Sequence, residues 1–453
     1  MPVSPARAAA FEILVRVERE SSYASDLLHS ATYQRLSPAD HALATELVMG
    51  VLRWRSRLDH EIAQASSQNL SRLDLEVLIA LRLAVYQFRF LDRIPVRAAL
   101  HESVELVKRA RKRSAATFVN AVLRKLAQPQ SDDGSAPGTP LWPSVPSVVM
   151  SSQAVAATWS HPFWLVERWA REYGLDAAQK ICQHNQCTPT TTIRLRSANA
   201  PGELAAEGIQ LLPGVLLSSA RRVQSDDITK TRLFRERQVV IQDEASQLVA
   251  AIIGRGSRIL DCCAAPGGKT LAMADHNPDS IITAVELHPH RARLLQKLLD
   301  GNARTQVVAA DARHLAVSQS FDRILADVPC SGTGTLSRNP EIKWRLTPED
   351  LAELHDRQLA ILRAALTHLQ PGGRLVYSTC SLEKEENEDV IDQALANDKS
   401  IQPGDCREEL DRLKSAGELS WPDPDSLTRG RYLRTIPGVH PCDGFFAAIL
   451  RRN

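Results

Sequence analysis

Apolar residues recur at three- and four-residue spacing through the first quarter of the chain. The runs ARAAAFEILVRV, HALATELVMGVLRWRSRLDHEIA and LDLEVLIALRLAVYQF all follow it. That period puts the apolar positions on one face of an α-helix and predicts an all-α bundle over residues 1–127. Ser37, Pro38 and Asp40 read as a helix start, because a hydroxyl acceptor precedes a residue suited to the first helical turn. Glycine, a poor helix former, occurs only once before Gly134, at Gly50.

The periodicity stops at 128–150, a stretch rich in Pro, Ser, Gly and Asp that reads as a linker. Beyond it the rhythm changes. PFWLVERWAREYG reads as a helix, TTTIRLRS as a β-branched strand, and short strands and helices continue to alternate. The stretch 151–235 is therefore expected to be a small α+β subdomain. From 236 to 453 the alternation is strict. Strands are predicted at Arg258–Asp261, Ile281–Leu287, Gln306–Ala310, Phe321–Val328 and Arg374–Cys380. Helices are predicted after the first two and at Pro348–Leu369. This is the rhythm of a parallel, doubly wound α/β sheet of the Rossmann-like type. The end, RYLRTIPGVHPCDGFFAAILRR, reads as an antiparallel strand pair around a Pro/Gly turn.

Composition places the chain among globular proteins, with 43% hydrophobic and 24% charged residues. The net charge of +2 hides an uneven distribution. Residues 1–127 hold an excess of about six positive charges, so the remainder is mildly acidic. The eight cysteines contain no CxxC pair, and Cys182 with Cys187 around His184 lacks a second half-site. No metal is expected. The opening segment reads as an amphipathic helix rather than a signal peptide, and no apolar run reaches membrane-spanning length. The expectation is a cytoplasmic monomer, away from membranes, with reduced thiols.

Three motifs carry chemistry. DCCAAPGGKT follows a strand and precedes a helix, where small residues let the backbone approach a ligand and the helix start offers free N–H groups. Its spacing is neither that of a phosphate loop nor Gly-x-Gly-x-x-Gly. Glu286 ends the next strand, where a carboxylate can accept both hydroxyls of a ribose. Asp311 closes the third, within expected reach of an adenine amino group. Together they favour an adenosine-type ligand, and S-adenosylmethionine fits because nothing demands phosphate. Asp327-Val328-Pro329-Cys330 closes the fourth strand, followed by SGTG, read as a flexible loop. Cys380 closes the fifth, and the acidic run EKEENEDV behind it reads as a solvated helix face. Two strand-end thiols, an acid and a methyl-donor loop suggest methylation of cytosine carbon 5. A thiolate adding to carbon 6 makes carbon 5 nucleophilic. Asp327 is the candidate acid at ring nitrogen 3, and a second thiol or a base assists release.

At these residues the chain resembles the RNA 5-methylcytosine methyltransferases of the Sun/NOL1/NOP2 family. CAAPGGK (Cys263–Lys269), DVPCSGTGTLSRNPEIKW (Asp327–Trp344), YSTCSLEKEENE (Tyr377–Glu388) and DGFFAAIL match its pattern across 151–453. The 1–127 segment resembles a NusB-type RNA-binding domain. The resemblance implies that Cys380 is the nucleophile and that Cys330 helps release product. It places S-adenosylmethionine contacts at Cys263, Ala264, Ala265, Pro266, Gly267, Gly268, Lys269, Glu286, Asp311 and Asp327. Lys269 is further expected to orient Asp327 or the base. A NusB-like bundle joined to this catalytic unit implies small-subunit (16S) ribosomal RNA as substrate, with 151–235 an RRM-like RNA-binding subdomain. Cys262 departs from the family pattern and is expected to pack under the loop.

A base in a duplex is out of reach of a thiol, so the target must be single-stranded or flipped out. Lys108, Arg109, Arg111, Lys112 and Arg113 are the candidate backbone contacts, with Arg338 and Lys343 nearer the base. Trp344 is either a stacking platform or a core residue. Two alternatives stand: the same chemistry on tRNA, or a non-catalytic RNA-binding assembly factor. A DNA methyltransferase would need a target-recognition segment after the catalytic strands, and none is present.

Overall fold

The computed structural model describes residues 3–128, 151–224, 227–300, 302, 304–315, 320–396 and 398–453. The expected linker at 128–150 lies, apart from Gln128, outside the described residues. The chain forms two compact units, Met1–Thr188 with Leu336–Arg345, and Pro189–Thr335 with Leu346–Asn453.

The first unit is helical, as its periodicity predicts. Pro5–Glu20, Pro38–Ser66, Leu75–Phe90, Val96–Arg109 and Ala116–Leu126 are its longer N-terminal helices. Ser37 caps the second, accepting from the Asp40 amide. Leu47, Val51, Leu58 and Ile62 recur at helical spacing along that helix and are fully or almost fully buried. The division at Thr188 differs from the domain boundary expected near 150. Ser152–Thr158, Phe163–Tyr173 and Leu175–Gln186 carry buried stripes such as Leu165, Val166 and Trp169, and they group with the helical unit. Composition locates a break in the chain, whereas compactness follows which apolar faces cover one another.

The second unit holds two sheets. The smaller contains β1 (Thr192–Leu195), β2 (Leu211–Pro213), β3 (Ala220–Val223) and β4 (Val239–Ile241), antiparallel in the order β2-β3-β1-β4. The larger is built on β5 (Arg258–Asp261), β6 (Ile281–Glu286), β7 (Thr305–Ala309), β8 (Phe321–Asp327) and β9 (Leu369–Thr379). It continues through β10 (Ile401–Pro403), β11 (Thr428–Arg429), β12 (Tyr432–Thr435) and β13 (Phe445–Arg452). Its order is β11-β12-β13-β9-β8-β5-β6-β7, with β10 also on β13. The β7–β6–β5–β8–β9 portion is parallel, and β13 closes it antiparallel to β9.

Alternate residues of these strands face opposite sides, and each side is apolar. Ile259, Leu325, Val376, Ala447 and Ile449 belong to one core. Leu260, Ile324, Ala326, Leu375, Tyr377, Phe446 and Ala448 belong to the other. Both faces are thus covered, as a parallel sheet requires. The parallel ladder also aligns strand ends: Asp327 of β8 is the register partner of Ser378 of β9. Side chains just past these two positions emerge together.

Candidate active site

The glycine loop joins β5 to the helix Gly268–His276. Two backbone bonds fix it to the sheet, from the Cys262 amide to Leu325 O (2.9 Å) and from the Ala264 amide to Val285 O (2.8 Å). The Ala265–Pro266 peptide is cis. Gly267 has φ +110°, and a Cβ there would sit 2.6 Å from Leu298 and 2.7 Å from Leu295. The positive φ is what calls for glycine here. Cys262 is buried beneath the loop, as expected.

Asp261, at the end of β5, joins the site although its motif gives it no assigned role. It is 1% exposed. Its Oδ2 accepts from Thr270 Oγ1 at 2.7 Å, and Oδ1 has no hydrogen-bond partner among the described residues. Burial pushes its carboxyl up to about 7. Glu286 ends β6, nearly buried, with Oε1 accepting from the His288 amide at 2.9 Å. Asp311 follows β7, and its carboxylate is gripped by Arg313 at 2.6 Å, which holds it down to about 2. A ligand amino group at Asp311 competes with that pair.

Asp327 ends β8 and joins two partners. Lys269 Nζ donates to Oδ2 and Ser378 Oγ to Oδ1, each at 2.7 Å. Lys269 Nζ also lies 4.9 Å from the centre of the Phe445 ring. Burial draws the ammonium down, but the charge and hydrogen bond of Asp327, with Cys380 and Asp261, outweigh it and raise it overall.

Beyond the paired ends of β8 and β9 stand the two thiols. Cys330 Sγ and Cys380 Sγ are 3.3 Å apart. The hydrogen bond to Cys380 and burial together raise the Cys330 thiol well above its ordinary value. The stretch after Cys330 is packed rather than flexible. Ser331, Thr333 and Gly334 are buried, and the Gly334 amide donates to Cys380 O at 2.8 Å. A Cβ on Gly334 would lie 2.8 Å from that same oxygen and 2.2 Å from Gly444 O. Glycine is the condition for the two thiol-bearing segments to approach this closely.

The acidic run after Cys380 is not a solvated face. Glu386 and Asn387 are fully buried and Glu383 is 2% exposed. Glu386 Oε1 accepts from the Ser331 amide (2.7 Å) and Gln358 Nε2 (2.8 Å). Its Oε2 accepts from the hydroxyls of Ser331 and Ser381. Along the chain, a Glu among polar neighbours gives no sign of burial; the sign is its place directly behind a strand-end thiol.

The expected RNA contacts separate into two groups. Lys108, Arg109, Arg111 and Arg113 are exposed around the C-terminus of the helix Val96–Arg109. Lys108 pairs with Glu105 and the half-buried Lys112 with Asp74. Lys343 is a correction. It is 1% exposed in the helical unit, and its Nζ donates to Arg53 O (2.9 Å) and Ser160 O (2.7 Å). Burial lowers its ammonium well below the ordinary value. Trp344 is half-buried, and its indole N–H donates to Leu52 O at 2.6 Å. Arg338 is half-buried in the same unit. No helix among the described residues is long and apolar enough to cross a membrane.

Three family models match the chain. That of the 16S rRNA methyltransferase RsmB/F covers residues 253–451, that of the NusB family 4–128, and that of the RsmF/B-like ferredoxin-like domain 161–223. A probable ribosomal RNA small subunit methyltransferase B of Bacillus subtilis is 34% identical, with 100% of each chain covered. The ribosomal RNA small subunit methyltransferase B of Vibrio cholerae is 30% identical over 99% of this chain and 97% of its own. Among solved structures, a methyltransferase homolog from Pyrococcus horikoshii matches at TM-score 0.56 and 26% identity, covering 68% of this chain and 100% of that one.

Proposed function

The chain belongs to the 16S rRNA methyltransferase RsmB/F family and carries a NusB-family domain at its N-terminus, and from that premise we propose that it methylates carbon 5 of a cytosine in small-subunit ribosomal RNA through a covalent bond to Cys380. The observation that carries this reading is the thiol pair, 3.3 Å apart, at the same sheet edge as Lys269 and Asp327.

The residues around the glycine loop fit S-adenosylmethionine. Asp261 Oδ1 is a buried acceptor with no hydrogen-bond partner among the described residues, suited to an ammonium group, and Glu286 offers a strand-end carboxylate suited to a ribose. When bound, the cofactor supplies an electrophilic methyl group on a sulfonium. The chain's own residues do the rest. The Cys380 thiol gives up its proton to a base and its sulfur adds to carbon 6 of the cytosine, breaking the carbon 5–carbon 6 double bond as electron density moves to carbon 5 and ring nitrogen 3. The Lys269 ammonium, held by Asp327, is the donor of the pair and stabilises ring nitrogen 3 by hydrogen bonding as that charge develops. Carbon 5 then takes the methyl group. Loss of its proton to a base re-forms the ring double bond as the Cys380–carbon 6 bond breaks. Cys330 assists that release; its contact with Cys380 at 3.3 Å supports this role.

The test incubates the protein with labelled S-adenosylmethionine and separate pools of unmethylated small-subunit rRNA and tRNA, then digests to nucleosides. Label in 5-methylcytidine from rRNA is expected. Label from tRNA alone overturns the substrate, and label in another nucleoside overturns the chemistry.

A further inference from the structure

We infer that Glu386 is the positioning residue of the thiol pair: one buried carboxylate that ties the segment bearing Cys330 to the segment bearing Cys380. This rests on the proposed catalytic use of those two thiols.

A carboxylate taken fully out of water is costly unless every lone pair finds a donor. Glu386 is 0% exposed and has four donors. Two come from Ser331, the residue after Cys330: its amide (2.7 Å) and its hydroxyl (2.5 Å). The third is the hydroxyl of Ser381, the residue after Cys380. The fourth is Gln358 Nε2 (2.8 Å), which also donates to Pro329 O, the residue before Cys330, at 3.0 Å. Donors therefore reach this one side chain from both thiol segments, and Cys330 is held from both sides.

Asn387 completes the arrangement on the Cys380 side. Its Nδ2 donates to Ser381 O (2.9 Å), and its Oδ1 accepts from Thr379 Oγ1 (2.5 Å). Residues on either side of Cys380 are thus fixed by the neighbour of Glu386. The Tyr377 hydroxyl donates to Glu386 O at 2.6 Å, anchoring the turn to β9. Two consecutive residues of the chain hold two loops 50 positions apart. Neither residue hydrogen-bonds a cysteine sulfur; their bonds to Ser331, Ser381 and Thr379 act on the chemistry through the loops.

The carboxylate also has an electrostatic effect. The hydrogen bond to Cys380 and burial oppose thiolate formation at Cys330 most, and the Glu386 charge adds to them. Lys269, its partner Asp327, Tyr377, Cys263 and Arg434, which donates to Ser381 O at 3.1 Å, are further titratable or charged groups around the pair. A neutral isostere at 386 therefore does two things that a mere packing defect does not. It replaces half of the acceptor capacity with donors facing donors, and it removes a negative charge beside Cys330.

The test uses the full chain with Glu386→Gln, and with Ser331→Ala and Ser381→Ala as smaller changes should Glu386→Gln fail to fold. Turnover is measured on small-subunit rRNA. Alkylation of Cys330 by iodoacetamide is followed by mass spectrometry across pH, without RNA or cofactor. Glu386→Gln is expected to lower kcat at least about tenfold, because misplacement of reacting groups by a fraction of an ångström is costly, with KM for RNA within about twofold. Its Cys330 alkylation profile is expected to move to lower pH, because an opposing charge is gone. Ser331→Ala is expected to slow product release and Ser381→Ala to slow adduct formation. Wild-type turnover, or an unmoved alkylation profile, in a folded Glu386→Gln protein overturns the inference. If the unaltered protein methylates no RNA, the functional reading fails, and the alkylation profile still decides the role of Glu386.

Discussion

The sulfur atoms of Cys330 and Cys380 lie 3.3 Å apart although 50 residues separate them in the chain. The parallel pairing of β8 with β9 brings them together, because Asp327 and Ser378 share a register position at the ends of those strands. In the proposed chemistry the two thiols act at different steps. Cys380→Ala is expected to abolish methyl transfer and any covalent RNA adduct while leaving cofactor binding intact. Cys330→Ala is expected to accumulate an adduct with RNA that survives denaturing electrophoresis. An alanine variant of Cys330 that turns over at the original rate removes its assigned step.

The same distance predicts a cross-link. Disulfide formation needs the sulfurs to close to about 2.05 Å, a small movement from their present contact. Treatment with diamide is expected to give a peptide pair joined through Cys330 and Cys380, with loss of activity that dithiothreitol restores. Cys182, Cys262, Cys406 and Cys442 are buried and are expected to remain reduced. Mapping by mass spectrometry of the non-reduced digest checks both statements.

Much of this site is legible along the chain because its parts sit at strand ends, and strand ends are marked by a short apolar run meeting a polar or glycine-rich one. Glu286, Asp327, Cys330 and Cys380 are all found that way. The parts that are not legible depend on which element covers which. Asp261 also ends a strand, but its burial and its unpartnered oxygen come from the loop folded over it. Glu386 reads as one acid among several, yet burial and four donors single it out. Lys343 reads as a cation beside the thiol loop, yet it is enclosed in the helical unit. Charge patterning alone cannot distinguish a lysine that meets RNA from one that fills its hydrogen bonds with backbone carbonyls.

Asp261 makes stability depend on pH with a definite sign. Its carboxyl is pushed up to about 7 by burial, against an ordinary 3.8. The folded chain therefore holds this proton where the unfolded chain releases it. The stabilisation is full below the ordinary value and is lost as pH rises through about 7. Every tenfold difference in proton affinity between the folded and unfolded chain is worth about 1.4 kcal/mol. In Asp261→Asn this dependence disappears, because Asn keeps an acceptor for Thr270 and does not ionise. The melting temperature of the unaltered protein minus that of the variant, without cofactor, is expected to fall between about pH 4 and pH 8. A flat difference would mean that Asp261 ionises normally.

Lys343→Met is expected to destabilise the protein without weakening RNA binding. The substitution keeps much of the buried aliphatic length but removes the donor to Ser160 O, whereas Arg53 O keeps the Gln186 Nε2 donor at 3.1 Å. An unsatisfied buried acceptor costs about 1–3 kcal/mol, so a clear drop in thermal midpoint is expected. RNA affinity below that midpoint should match the unaltered protein; a marked loss of affinity at unchanged stability would restore Lys343 to an RNA contact.

The exposed basic run behaves differently from Lys343 because its charges face solvent. Arg109, Arg111 and Arg113 are exposed at and just beyond the end of the helix Val96–Arg109, and Lys108 shares its charge with Glu105. If these side chains neutralise RNA phosphates, each contact releases a condensed counterion. The logarithm of the binding constant then falls with the logarithm of salt by about 0.7 per contact on a single strand. Replacing Arg109, Arg111 and Arg113 by Gln is expected to weaken RNA binding most at low salt and to flatten that slope by about two units. The effect should be uniform across RNA sequences, because phosphate contacts position the strand without reading bases. The rate of methyl transfer at saturating RNA should stay the same, since none of these residues is in the unit that bears the thiols. Filter binding at several salt concentrations gives the slope. An unchanged slope with the triple variant would show that this end of the helix faces solvent and not RNA.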